Sequence, residues 1–157
     1  MVEDGTYYFK THYYLPESAL VEKTDKELYK YWAQSGQLTI TSGNVTDYDY
    51  ITNDIMRYNQ ILSIRAIGYD KFNATQWAID ATEKGLPLQE FSQTLGNFNK
   101  PTKELERLIL SGNCVFDNNE ITRFCFRNVE LKSDFCGNVK PNKSIDKKKI
   151  DGVIAII

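Results

Sequence analysis

The chain has 157 residues, a formal net charge of −2, 41% hydrophobic residues and 25% charged residues. This length predicts one domain, and the composition is ordinary for a soluble globular protein. No apolar run approaches the roughly 20 residues that a membrane helix needs, so we expect no membrane partner. The amino terminus lacks a basic segment followed by an apolar one, so we expect no secretory signal.

The cysteines indicate a reducing compartment. Cys114, Cys125 and Cys136 are an odd number, and no two of them have the CxxC spacing. We interpret them as reduced, mostly buried thiols of a cytoplasmic protein and not as zinc ligands.

Positive charge is concentrated near the carboxyl end. Residues 121–149 contain eight Lys or Arg and three acids, a local charge of +5, which leaves −7 for the remainder. A basic stripe of this kind favours contact with phosphates. A solvated basic loop explains the charge equally well.

In the first half of the chain, short aromatic or β-branched runs alternate with segments of helical periodicity. Pro16 ends the first strand, and Asp47 caps the second helix. The predicted elements are strands at 6–15, 37–41 and 61–69, the last covered on both faces, and helices at 24–35, 48–58 and 73–84.

The second half continues this alternation, which predicts an α/β fold with a mixed sheet. We expect Pro101 to open a helix over 102–111 that Gly112 ends. The remaining predictions are strands at 88–92 and 113–116, a helix or strand at 124–131, a loop at 133–148 and a helix or strand from 150 to the last residue.

Two aspartates lie where apolar runs meet loops, in Ile67-Gly-Tyr-Asp70 and Lys149-Ile-Asp-Gly152. If the fold brings Asp70 and Asp151 together, shared ligation of Mg²⁺ or Mn²⁺ is the usual chemical reason. Two simpler roles stay open. Asp70 could cap the helix that follows it, and Asp151 could complement the dipole of its own helix.

Other polar segments have structural interpretations. His12, the single histidine, alternates with aromatic residues on a predicted strand, and we expect it to be structural. Residues 117–120 lack the full calcium-loop pattern and are predicted to be a turn. A small-molecule domain has no phosphate loop or dinucleotide fingerprint to support it.

Several motifs, in order along most of the chain, resemble the carboxy-terminal half of phage terminase large subunits. They are Tyr13–Glu17, Tyr31-Trp32 with Gly36, Thr41–Gly43, Ile67–Ala74, Gln93, Pro101–Glu106, Asn128, Gly137–Lys143 and Lys149–Gly152. The resemblance implies a ribonuclease H-like nuclease that cuts concatemeric viral double-stranded DNA during packaging with a divalent metal. It also implies the cytoplasm of a bacterial host and, in a full-length parent, the small terminase subunit and the portal as partners.

The resemblance assigns roles to individual residues. It implies that Asp70 ends a central strand and that Asp151 begins the last helix, and that both hold Mg²⁺ or Mn²⁺. It further implies that Lys140, Lys143 and Lys149 hold the DNA backbone, where charge dominates affinity. Asn128 and Gln93 also match family positions, but we expect them to organise backbone hydrogen bonds.

The sequence also departs from the family pattern. Family nucleases have a further strand that carries the first metal-binding aspartate, whereas this chain starts in the hairpin after it, with Asp4 in the turn. We therefore expect a truncated nuclease domain over 1–157 that lacks the first, central strand and the ATPase domain, with weak or absent catalysis. The strand edges left exposed would favour homo-oligomers. The alternative is a non-catalytic prophage remnant that acts as a DNA-binding or self-associating module.

Overall fold

The computed structural model of the chain describes residues 1–22, 25–72, 74–143 and 149–157. Within these residues, no helix combines the length and the apolar character needed to cross a membrane. The chain divides into two compact units: Met1–Tyr13, Lys23–Thr39 and Thr94–Ile157 form the first unit, and Tyr14–Glu22 and Ile40–Gln93 form the second.

Short strands and helices alternate along the chain, as the sequence predicts. In chain order they are β1 (Val2–Glu3), β2 (Thr6–Phe9), β3 (Tyr14–Pro16), α1 (Glu17–Glu22), α2 (Lys26–Gln34), β4 (Thr39–Thr41), α3 (Tyr48–Asn59), β5 (Ile67–Tyr69), α4 (Thr75–Glu83), β6 (Leu88–Glu90), α5 (Leu95–Leu110), β7 (Cys114–Phe116), α6 (Glu120–Asn128), β8 (Val129–Ser133), β9 (Val139–Lys143) and α7 (Asp151–Ile156).

In the first unit, a three-stranded mixed sheet has the order β1-β2-β7. The β1–β2 turn contains Asp4 and Gly5 at φ angles of 47° and 78°, so Asp4 lies in a hairpin turn as predicted. Strand β2 is parallel to β7, and Phe9 stacks on Phe116 with ring centroids 5.0 Å apart. The buried apolar side chains of this unit are Trp32, Leu38, Phe98, Leu105, Leu108, Ile121, Cys125, Ile150 and Val153.

In the second unit, β3 pairs with β4, and β5 pairs in parallel with β6. Helix α3 begins as predicted, because the Asp47 side chain accepts a hydrogen bond from the Tyr50 N–H. Its buried residues include Thr52, and Ala78 and Ala81 supply the buried face of α4. This arrangement sets β5 and β6 side by side with their carboxyl ends at one edge.

Two predicted strands differ from the observed ones. The first predicted strand is interrupted at 10–13, so exposed His12 lies between β2 and β3 and not on a strand. The continuous strand at 61–69 is wrong: only Ile67–Tyr69 is extended, and Ile61 is 74% exposed. Two segments were predicted as either helix or strand. Residues 124–131 divide between α6 and β8, and the last segment is helical.

Pro101 does not open α5 but lies inside it. The helix begins six residues earlier, where the Thr94 hydroxyl accepts from the Asn97 N–H as an N-cap. The buried face extends back to Phe98, and its burial outweighs the hydrogen bond that proline removes.

The predicted loop over 133–148 is wrong for Val139–Lys143, which pairs antiparallel with β8. Residues 144–148 of that prediction lie outside the described residues. Strand β9 contains a proline, two lysines, an asparagine and only one β-branched residue, so its own sequence has a weak strand signal. Side chains of α5 supply polar contacts instead, including a bond from the Val139 N–H to Asn99 Oδ1 at 3.0 Å.

Half-buried phenols and a buried thiol predict loss of stability at alkaline pH. Burial raises the pKa of Tyr13, Tyr14 and Tyr29 above 10.0 and that of Cys125 above 9.0, and for Tyr14 the hydrogen bond to Asp54 adds to the shift. Groups whose pKa is raised in the folded state stabilise it fully below their unfolded pKa, and that contribution is lost as pH rises through the folded value. We expect the free energy of unfolding to fall above about pH 9.

Chemical denaturation between pH 7 and 10.5 measures this effect. The variant Tyr14→Phe should show a shallower decline, whereas Tyr31→Phe, a change at an exposed tyrosine, should follow the wild type. A decline of equal slope in all three proteins would contradict the assignment to Tyr14.

Candidate functional site

Asp70 directly follows β5, and its carboxylate is exposed and held by two donors. The backbone N–H of Phe72 donates to Oδ1 at 3.1 Å, and Nε2 of Gln93 donates to Oδ2 at 2.6 Å. Gln93 follows β6, the parallel neighbour of β5, so both side chains come from the carboxyl ends of one strand pair. Open α/β sheets bind their ligands at that edge.

The structure excludes one simple role for Asp70. Helix α4 begins at Thr75, its N-cap residue is Ala74, and no side chain caps it. The Asp70 carboxylate therefore serves no helix terminus. It is oriented by Gln93, whose role was predicted as backbone hydrogen bonding and is instead a contact with the carboxylate. The family match singled out Gln93, but no local spacing could show this partner, which is 23 residues away.

Asp151 is the first residue of α7 and is exposed, whereas the residues on either side of it are buried. Helix α6 holds this start of α7 from below. The Asn128 side chain donates to the Lys149 carbonyl oxygen at 3.3 Å, as predicted for a residue that organises backbone bonds. Burial raises the pKa of the Cys125 thiol on α6, and the nearby backbone N–H groups of Gly152 and Val153 act in the opposite direction. The role of Cys125 was missed because a lone cysteine carries no motif.

Tyr13 packs against the same turn through a chain of hydroxyl groups. Its Oη lies 2.9 Å from Thr122 Oγ1, which in turn lies 2.7 Å from Thr11 Oγ1. The Thr11 N–H donates to Asp117 Oδ2 at 2.8 Å, so the chain is anchored at the end of β7. A Cβ atom on Gly152 would lie 2.1 Å from Tyr13 Oη. The glycine of the Lys149–Gly152 motif is thus required by the close approach of a tyrosine.

Asp70 belongs to the second compact unit, and Asp151 belongs to the first. Among the described residues, no three His, Cys, Asp or Glu side chains are grouped so that they could hold a metal ion. The donor chemistry nevertheless suits Mg²⁺ or Mn²⁺, because both acids are exposed carboxylates with lone pairs left over. Mg²⁺ commonly binds through one or two carboxylates and completes its shell with water and substrate phosphates.

Two of the three predicted DNA-binding lysines lie on β9, and the third precedes α7. Lys140 and Lys143 are three residues apart on β9, and because side chains alternate along a strand they lie on opposite faces. Lys140 shares its face with Lys132, which is directly opposite on β8. Lys149 is exposed just before α7. Lys132 was missed as a site residue, although the strand register identifies it.

A polar cleft of about 590 Å³ opens at the carboxyl ends of β2 and β7. His12 and Gln37 line it together with the turn that follows β7, where Asn118 has a φ of 64°. The turn predicted at 117–120 corresponds to the connection between β7 and α6, except that Glu120 is already the first residue of α6. The cysteine prediction is only partly confirmed, since Cys125 is buried but Cys136 is exposed.

The sequence matches one family model along its whole length. The model is described as the terminase large subunit, endonuclease domain, and it matches residues 1–157. Protein YmfN of Escherichia coli (strain K12) is 35% identical over 164 residues, covering 94% of this chain and 36% of that protein. The large terminase subunit of Enterobacteria phage HK97 is 29% identical over 158 residues, covering 98% of this chain and 31% of that protein. The chain thus spans about a third of the length of these curated relatives.

Two solved structures have a similar fold. The crystal structure of the HK97 bacteriophage large terminase superposes with a TM-score of 0.79 at 30% identity and covers 91% of this chain and 31% of that one. The large terminase nuclease from thermophilic phage G20c superposes with a TM-score of 0.58 at 12% identity, covering 73% and 61% of the two chains. The predicted ribonuclease H-like mixed α/β fold is confirmed by these neighbours.

Proposed function

Because this chain belongs to the terminase large subunit endonuclease domain family, we propose that it is a metal-dependent nuclease domain that acts on double-stranded DNA during packaging. The observation that carries the proposal is the family match over residues 1–157. Asp70 lies at a strand end and Asp151 at a helix start, and their exposed carboxylates are the kind of group that a metal-dependent nuclease needs as ligands. In a complete terminase, the domain acts with the small subunit and the portal in the cytoplasm of a bacterial host.

In this proposal Asp70 and Asp151 supply carboxylate oxygens to Mg²⁺ or Mn²⁺. The ion, when bound, supplies charge for stabilising the cleaved phosphate. Gln93 holds one Asp70 oxygen and leaves the remaining lone pairs of the carboxylate available for a ligand. Tyr13, Cys125 and Asn128 orient the turn that carries Asp151. Lys140, Lys143 and Lys149 bind phosphates, and their distribution over two faces of the hairpin and the start of α7 favours several separate backbone contacts.

The test combines metal binding with DNA cleavage. We expect Mn²⁺ to bind the wild-type chain, with slow nicking of supercoiled plasmid. The variants Asp70→Asn and Asp151→Asn should each lower Mn²⁺ affinity and reduce nicking at least about tenfold, since each removes one charged ligand. The matched control is Asp80→Asn, an exposed aspartate of α4 bonded only locally, to Gln76 at 2.8 Å. Equal nicking by wild type and both site variants would reject the assignment.

A second function has its own support. Fewer than three acidic ligands are grouped among the described residues, while the hairpin carries Lys132, Lys140 and Lys143, and Lys149 precedes α7. A non-catalytic module that binds DNA, or that associates with itself, would fit both observations. It predicts salt-sensitive DNA binding with no Mn²⁺-dependent nicking, so the same assay separates the two functions.

A further inference from the structure

The turn of the β8–β9 hairpin displays a phenylalanine to solvent. This turn, Asp134–Asn138, is called the hairpin tip below. Phe135 in it has a relative exposure of 111%, and Cys136 beside it is also exposed. Single exposed apolar residues are common, so exposure alone says little. What distinguishes Phe135 is the order of the backbone that carries it.

The hairpin tip is held by a dense set of hydrogen bonds. The Asp134 carboxylate accepts from the N–H groups of Cys136 and Asn138 at 2.9 and 2.8 Å and from Asn138 Nδ2 at 2.8 Å. These bonds lower the pKa of Asp134, so its carboxylate stays charged at neutral pH and keeps accepting from its donors. Gly137 takes a φ of 74°, which closes the turn at low cost. Phe135 is thus presented by a preorganised loop.

Helix α5 fixes the hairpin tip from one side. Lys103 Nζ donates to the Gly137 carbonyl oxygen at 2.9 Å, and Asn99 Nδ2 donates to Asn138 Oδ1 at 2.9 Å. None of these contacts uses Phe135. The fold therefore orders the tip while leaving its one aromatic side chain outside.

Charged groups of both signs lie near the tip: the Asp134 carboxylate is part of it, and two lysines lie on the strands that lead into it. Lys132 and Lys140 form the second cross-strand pair from the tip and lie directly opposite each other on the same face. Like charges in that position destabilise a hairpin. Within the described residues neither lysine forms an ion pair, and Glu130, the acid on the same face, lies two pairs further from the tip. A bound anion would offset the repulsion.

We propose that Phe135 is an apolar wedge that contacts the bases of double-stranded DNA from a groove. This inference rests on the proposed function. Lys132 and Lys140 hold phosphates on either side of Phe135. Two-stranded β-ribbons enter DNA grooves, and apolar side chains inserted at base steps locally unstack the duplex. The charge complementarity selects DNA over a second copy of the chain as the occupant. A rigid tip suits this role because little order remains to be gained on binding.

Fluorescence anisotropy on a duplex, repeated at several salt concentrations, tests the wedge. We expect Phe135→Ala to weaken binding about tenfold, in line with the loss of one base contact, and to leave the salt slope unchanged. The double variant Lys132→Ala/Lys140→Ala should instead reduce the salt slope by about 2. The matched control is Leu110→Ala, which removes an apolar side chain that is 81% exposed at the far end of α5.

A second readout follows base stacking. The fluorescence of 2-aminopurine placed in the duplex should rise when wild type binds but not when Phe135→Ala binds, and Phe135→Leu should restore part of the rise. Wild-type binding with no effect of Phe135→Ala overturns the wedge and leaves the proposed function standing. A change in self-association with unchanged DNA affinity overturns it too. A wild type that does not bind DNA rejects both proposals.

Discussion

Replacing Gly152 by alanine should destabilise the protein by about 2–3 kcal/mol, although alanine is the better helix former. The added Cβ would lie 2.1 Å from Tyr13 Oη, 3.0 Å from its Cζ and 3.2 Å from its Cε1. Helix propensity favours alanine by only about 1 kcal/mol, so the steric cost decides the sign. The tyrosine cannot swing away freely because its hydroxyl is bonded to Thr122.

Gly96→Ala is a matched control for this substitution. Gly96 is also the second residue of its helix, α5, but nothing lies within 4 Å of its Cβ position. We expect Gly96→Ala to leave the free energy of unfolding unchanged or to raise it slightly. Denaturant titration of both variants measures the contrast, and losses of equal size would show that Tyr13 is not the cause.

A double variant locates the clash. Tyr13→Phe removes the nearest atom at a cost of about 1 kcal/mol for the lost hydrogen bond. In that background Gly152→Ala should cost clearly less than in the wild type, since the remaining ring atoms are 3.0 Å or more away. Strict additivity of the two substitutions would contradict this account. Because Asp151 precedes Gly152, we also expect Gly152→Ala to lower Mn²⁺ affinity.

Sequence patterns predicted those elements whose local signals agree with their packing. Helix α3 has its Asp47 cap, and short strands such as β7 coincide with apolar runs bounded by turn residues. The predictions failed where long-range contacts outweigh local ones. Phe98 and the Thr94 cap extend α5 past Pro101, and contacts with Asn99 order a hairpin whose sequence indicates a loop.

The candidate site was predictable only in part. Local sequence places Asp70 and Asp151 where apolar runs meet loops, and the family resemblance adds a strand end for Asp70 and a helix start for Asp151. The structure agrees with both positions. Their supports do not follow from local sequence, because Gln93, Cys125 and Tyr13 are brought in by the fold from distant parts of the sequence. That both aspartates ligate one metal site remains a prediction, which the metal-binding variants test.

Trp77→Ala should produce the second large loss, about 3 kcal/mol, in the second unit. The ring lies 5.9 Å from Tyr48 and 6.0 Å from Tyr69 between centroids, and its Nε1 donates to Thr52 Oγ1 at 2.8 Å. Thr52 is 2% exposed, so its hydroxyl would lose a partner in a site with little access to water. Removal of a large aromatic side chain typically costs 3–5 kcal/mol, and the half-burial of Trp77 favours the lower end.

The consequence for the proposed site is local. Tyr69 immediately precedes Asp70, and its carbonyl accepts from the Phe91 N–H at 2.8 Å as part of the β5–β6 pairing. Hydrogen exchange of the amides of β5 and β6 should therefore accelerate in Trp77→Ala. Trp77→Phe keeps one aromatic ring but loses the indole N–H and the second ring, so its cost should lie below that of Trp77→Ala and above the roughly 1 kcal/mol of the hydrogen bond alone. Ile79→Ala changes a half-exposed position of α4 and should leave hydrogen exchange unchanged. Equal acceleration in Trp77→Ala and Ile79→Ala would refute a specific role for Trp77 in holding the strand that ends at Asp70.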